Sequence, residues 1–253
     1  MTAWIKSLRL PVCFLAVLLT IVSFRLGGAQ ISWLVIFAVF FISCSTMLQN
    51  DWRDKYHDGR KGKILALSHS RAFLALLLVF WTVACGLIVV VAVKNSNVGM
   101  ALVAMALVGL FYSETRRIPM VPVTLVAIAS GSPALLSIVA GADGNKAWLL
   151  FFSATFIIFG REITKDIDDE RIDAGYKWTI PLAVGNNWAK AIAIVTIIAG
   201  LAIATRISIA ALPAMALAIV GVVLLTRNVR PIITRTCIDV GVALAILTIV
   251  FFG

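Results

Sequence analysis

Long apolar runs, each near the length of a membrane crossing, alternate with polar intervals along the whole chain. A helix rising 1.5 Å per residue needs roughly 20 residues to cross the hydrocarbon core of a bilayer. Runs of about that length fall at 10–28, 31–49, 72–93, 97–114, 121–140, 147–164, 188–205, 207–226 and 236–252. The pattern predicts an all-α polytopic membrane protein of about nine transmembrane helices. Only two polar intervals are long, about 50–71 and 165–187, following the second and sixth runs. Neither leaves room for a soluble domain, so 1–253 reads as a single transmembrane domain.

Composition agrees with the pattern. Of 253 residues 61% are hydrophobic and 13% charged, too little polar surface for a water-soluble domain of this size. The first run follows Lys6 and Arg9 and is closed by Arg25 without a small-residue cleavage site, and reads as a retained helix. Cys13, Cys44, Cys85 and Cys237 all fall in apolar stretches and read as buried thiols, not disulfides or a zinc set.

The net charge of +10 does not point to nucleic acid, because the basic residues are spread over short connections between apolar spans. Eighteen Lys and Arg fall at the amino terminus and in the connections after spans two, four, six and eight. Only Arg25, Lys94, Lys146 and Arg206 fall on the other side. Positive charge is retained on the cytoplasmic side of membranes, which places the amino terminus and both long intervals in the cytoplasm, against a lipid headgroup surface.

Acidic residues are rarer and clustered. Nine of the twelve lie at the ends of spans two and six or just beyond. Asp51, Asp54 and Asp58 stand at i, i+3 and i+7, and Asp166, Asp169 and Asp173 repeat that spacing. On a helix such positions share a face. Three like charges near a helix C-terminus repel one another and the helix dipole. A hard divalent cation bound through oxygen relieves both, and magnesium keeps positions open for phosphate oxygens. Two opposed acid rows suit a diphosphate held between magnesium ions, with Arg60, Lys165 and Lys177 placed to neutralise charge on a departing pyrophosphate. The blander reading is a pair of solvated helix ends balanced by nearby Lys and Arg.

At these residues the chain resembles the UbiA superfamily of intramembrane prenyltransferases. Asn50, Asp51, Asp54 and Asp58 match the motif N-D-x-x-D-x-x-x-D, and Asp166, Asp169 and Asp173 match D-x-x-D-x-x-x-D. Arg161-Glu162, Lys165-Asp166-Ile167, Tyr112-Ser113, Gly131 and Lys177-Trp178-Thr179-Ile180-Pro181 with Gly185 are similar too. The resemblance implies a helical bundle around a central cavity. The six aspartates would be the catalytic, magnesium-binding residues, with Asn50, Arg60, Tyr112, Arg161, Lys165 and Lys177 on the substrate. It implies transfer of a prenyl group from a prenyl diphosphate to a lipophilic acceptor, an aromatic ring or a hydroxyl, with release of pyrophosphate in a dry site. One departure stands out. The stretch 59–71, which holds Arg60, Lys61 and Lys63, lacks the proline of many relatives.

The remaining polar residues divide between chemistry and structure. His57 lies off the face shared by Asp51 and Asp58, and reads as an interfacial residue or a weak general base. Tyr112 suits either contact with the diphosphate or interfacial anchoring. Glu162, Asp168 and Glu170 read as partners of nearby Arg or Lys, and Asp239 as a partner of Arg235. Trp4, Trp33, Trp148 and Trp188 read as interface anchors. Two other functions stay open. An intramembrane terpene cyclase would use the same ionisation without an acceptor. A membrane transporter would use the acids as an ion site, although transporters usually place carboxylates near the bilayer midplane.

Overall fold

The computed structural model describes residues 2–60, 62, 64–227 and 229–252; Lys61 and Lys63 lie outside them. Among these residues there is no strand, and eight helices are long and apolar enough to cross a membrane. A ninth apolar helix, α1 (Leu10–Leu26), has 17 residues, at the short end of what spans a bilayer. It is followed by α2 (Trp33–Arg53), α3 (Ser70–Lys94), α4 (Ser96–Phe111), α5 (Val121–Gly131), α6 (Asn145–Asp173), α7 (Asn186–Thr205), α8 (Leu212–Thr226) and α9 (Pro231–Phe252). The nine predicted runs correspond to these nine helices. At most 44% of any long span's apolar window is buried, so most apolar side chains face outward, as lipid solvation requires.

Local chemistry explains the joints. Asn95 alone links α3 to α4, and its side chain accepts a hydrogen bond from the Val98 N–H at 3.2 Å. A Cβ on Gly99 would lie 2.4 Å from that of Ala92, so this tight hairpin closes only around glycine. The predicted span 121–140 is interrupted. α5 passes at Gly131 into a tighter turn over Ser132–Leu135 that contains Pro133, then into a short helix, Leu136–Val139. The break leaves backbone carbonyls without helical partners. Ser23 of α1 donates to the Ala134 carbonyl and sits 2.5 Å from the Ser137 hydroxyl.

Two helix bundles share α1. One core gathers α1, α6, α7, α8 and α9 around Leu150, Ile157, Ile197 and Ile238, and the other gathers α2, α3 and α4 around Val39, Ala84 and Leu102. A small apolar cavity of about 40 Å³ lies inside the first, and one of about 320 Å³ opens near Lys94, at the end away from the acid rows.

Three expectations need correction. The interval from 165 is not loop, because α6 continues to Asp173. Its 29 residues make it roughly 43 Å long, so its last turns project beyond the hydrocarbon. α2, in contrast, stops at Arg53, and Asp54 adopts φ −91° and ψ 6° before a short helix, Lys55–Arg60. The first acid row therefore does not lie on one continuous helix. Finally, Cys85 is exposed, while Cys13 and Cys44 are buried; a thiol is apolar enough to face lipid.

Candidate active site at the acid rows

The end of α2, the short helix Lys55–Arg60, the end of α6 and the segment after it meet at one end of the bundle. Asp51 is buried and accepts a 2.6 Å ion pair from Arg9, the residue just before α1. Asp54 turns towards other segments. It meets the Arg116 guanidinium at 2.5 Å and accepts a hydrogen bond from the Tyr176 hydroxyl at 2.8 Å. Asp58 is buried alongside. Backbone bonds from the Asp54 N–H to the Asn50 carbonyl (2.9 Å) and from the Asp58 N–H to the Asp54 carbonyl (2.7 Å) keep the chain nearly helical through the kink. Asn50 is half-buried there, and Arg60 is exposed at the end of the short helix.

The second row lies on the projecting turns of α6. Asp166 and Asp173 face one way, and the Lys177 ammonium sits between them, 3.0 Å from one and 2.8 Å from the other. Asp173 has no exposed surface and also accepts a bond from His57 Nε2 at 2.9 Å. Asp169 is half-buried. Lys177 is held by a well-capped segment. Thr179 caps the short helix Ile180–Val184, Pro181 occupies its first turn, and Gly185 ends it with φ 82°, a conformation natural to glycine. The Trp178 N–H bonds to the Arg116 carbonyl at 2.8 Å, tying this segment to the connection after α4.

Burial works against the Lys177 ammonium, but Asp166 and Asp173 outweigh it and hold its pKa above that of an ordinary lysine. Burial pushes the Tyr176 phenol up, and its bond to Asp54 adds to this, to about 12. Tyr112, half-buried at the end of α4, lies within electrostatic reach of Arg9, Asp51, Asp54 and Glu162, on the side of the first row.

Two of the expected substrate ligands, Arg161 and Lys165, are engaged by protein partners. Arg161 makes a two-pronged contact with Asp239 of α9, at 3.0 and 2.9 Å, and also meets Glu162. Asp239 thus pairs with Arg161 where Arg235 was expected. Lys165 pairs with Glu162 at 3.0 Å, and Glu170 accepts from the Asn186 amide at 2.8 Å. Trp33 and Trp188 are exposed near helix ends, as interface anchors should be.

His57 is the largest departure from expectation. It is buried, bonded to Asp173, and stacked face to face on Tyr176 with ring centroids 3.8 Å apart. Tyr176, Arg116 and Arg9 were not among the expected site residues. The only local hint was that Tyr176 precedes Lys177 and Arg116 follows Tyr112 by one helical turn.

Whether these residues suit a divalent metal is answered by their chemistry. All six aspartates offer hard oxygen donors, and between Asp166 and Asp173 a cation, the Lys177 ammonium, already stands at a point that demands positive charge. Among the described residues no three His, Cys, Asp or Glu side chains converge on one point. The donor set therefore suits a hard divalent ion held by one or two carboxylates and completed by oxygens from outside the protein, which is how magnesium is usually held.

The sequence model of the UbiA prenyltransferase family matches residues 10–240. The chain is also similar in fold to three solved structures. The apo structure of a UbiA homolog from Aeropyrum pernix K1 is 16% identical, with 93% of this chain and 96% of that one covered and a TM-score of 0.74. A digeranylgeranylglyceryl phosphate synthase is 18% identical, over 98% and 96%, with a TM-score of 0.69. A UbiA homolog from Archaeoglobus fulgidus is 18% identical, over 98% of each chain, with a TM-score of 0.67. No curated protein sequence matches significantly.

Proposed function

The chain belongs to the UbiA prenyltransferase family, and from that premise we propose that it transfers a prenyl group from a prenyl diphosphate to a lipophilic acceptor inside the membrane. The observation that carries this reading is the shared Lys177 ammonium between Asp166 and Asp173, facing a second acid row across the same end of the bundle. Two rows of carboxylates that draw in cations are what a bound diphosphate and its counter-ions need.

Asp51, Asp54 and Asp58 would hold magnesium from one side and Asp166, Asp169 and Asp173 from the other. When bound, magnesium would neutralise the diphosphate and make it a better leaving group. The chain's own cations supply the rest. Lys177 and Arg116 lie within bonding distance of the motif carboxylates and would turn to phosphate oxygens as these arrive. Tyr112, near Asp51 and Asp54, would face the first carbon of the prenyl chain. Breaking the bond between that carbon and oxygen sends the electron pair to pyrophosphate and leaves an allylic cation. An acceptor carbon or hydroxyl then supplies the pair for the new bond and loses its proton. Apolar walls below the rows would delay quenching of the cation by water. Arg161, Glu162 and Asp239 would brace α6 against α9 and not touch substrate. The charge asymmetry of the connections supports a cytoplasmic position for this end.

The test is product analysis. Purified protein would be offered geranyl, farnesyl and geranylgeranyl diphosphates with magnesium and a panel of aromatic and glycerol-phosphate acceptors. A prenylated acceptor formed together with pyrophosphate supports transfer. Cyclic hydrocarbon formed without any acceptor would replace it with a cyclase.

A further inference from the structure

Among the described residues, one link between the two acid rows runs through two aromatic side chains from different segments. The Tyr176 hydroxyl donates to Asp54 of the first row at 2.8 Å. The Tyr176 ring lies on the His57 ring with centroids 3.8 Å apart and planes 8° from parallel. His57 Nε2 then reaches Asp173 of the second row at 2.9 Å. An ionised carboxylate only accepts, so this ring nitrogen is the donor. His57 and Asp173 are both buried, at 6% and 0% exposure. His57 sits on the segment of the first row yet bonds the second. Tyr176 sits on the segment of the second row yet bonds the first. Each strand of the link therefore crosses over, and neither row can shift without breaking a bond or the stack.

Resting on the function proposed above, we infer that His57 and Tyr176 form a clasp that fixes the separation of the two acid rows, as positioning residues for the diphosphate site. Neither needs to touch substrate. The clasp sets how far apart Asp54 and Asp173 stand, and so whether oxygens from both rows can serve the same bound group. Preorganised geometry of this kind acts on binding of the charged group before any bond is broken. Packing alone would explain a stacked pair, but it would not require that each ring also bond the opposite row.

Two measurements on purified protein in detergent test this. The first is trypsin cleavage after Lys177, whose ammonium is tucked between Asp166 and Asp173. The second is binding of inorganic pyrophosphate in the presence of magnesium, read by calorimetry. His57→Leu and Tyr176→Leu are expected to cut several-fold faster and to bind pyrophosphate roughly 10-fold more weakly. His57→Gln, whose amide nitrogen can still donate to Asp173, should restore binding to within about threefold, which guards against a variant that fails only by folding poorly. Unchanged cleavage in both leucine variants overturns the clasp. Faster cleavage with wild-type pyrophosphate affinity leaves a structural contact only and overturns the positioning role. If the wild type binds no pyrophosphate, the function proposed above fails and the positioning role with it, while the cleavage rates still decide whether the clasp joins the segments.

Discussion

Lys177 balances charge on the second acid row and the neutral Tyr176 phenol donates to the first, and both do so in their protonated forms. In each, the folded protein holds the proton more tightly than the unfolded chain, whose ordinary values are 10.5 and 10.0. Stability from these pairings is full below about pH 10 and is lost as the pH rises through the folded values. Thermal unfolding in detergent should therefore show a midpoint that falls between about pH 10 and 12. Lys177→Met should unfold at a lower temperature near neutrality and lose part of that alkaline fall. A variant with the wild-type alkaline slope would show that Lys177 does not hold the rows together. The aspartates were legible in the sequence because their spacing repeats and their charge is out of place at a helix C-terminus. Their partners were not. Tyr176 lies 122 residues from Asp54 and His57 lies 116 from Asp173. No local pattern reports a contact made only when distant segments meet.

Helices were legible to within a few residues wherever apolar runs were bounded by charge, as at Lys94 or Arg25. They were misjudged where polar residues continue a helix into water, as from Lys165 to Asp173 in α6, and where one acid turns away, as at Asp54. Close helix approach leaves a clearer mark, in glycine. A Cβ on Gly160 of α6 would lie 2.6 Å from the Ala193 carbonyl and the Thr196 hydroxyl of α7, and one on Gly200 of α7 would lie 2.8 Å from the Ser153 carbonyl. Without a hydrophobic force between helices in lipid, such contacts supply much of the packing. Gly160→Ala should cost about 1–3 kcal/mol through overpacking, seen as a lowered unfolding midpoint in detergent. Gly86→Ala in α3, where a Cβ meets nothing within 4 Å, should leave the midpoint unchanged or slightly raised. Equal effects at the two positions would refute the close-packing explanation.

Across the whole molecule, the candidate site residues gather at one end. The end of α2 with the short helix Lys55–Arg60, and the end of α6, each deliver an acid row there, while the connections after α4 and α6 deliver Arg116, Tyr176 and Lys177 to the same place. The apolar spans were legible in the sequence; the depth and shape of the space between the helices depend on side-chain packing that periodicity does not encode. The most direct test is pyrophosphate release from a prenyl diphosphate by purified wild type, with magnesium or with chelator, beside Asp54→Ala and Asp169→Ala. Release that requires magnesium and falls about 100-fold or more in each variant, a loss of roughly 2.7 kcal/mol of transition-state stabilisation, is the predicted result. Wild-type release rates in both variants, with the proteins folded, would contradict the assignment of the acid rows as the site of chemistry.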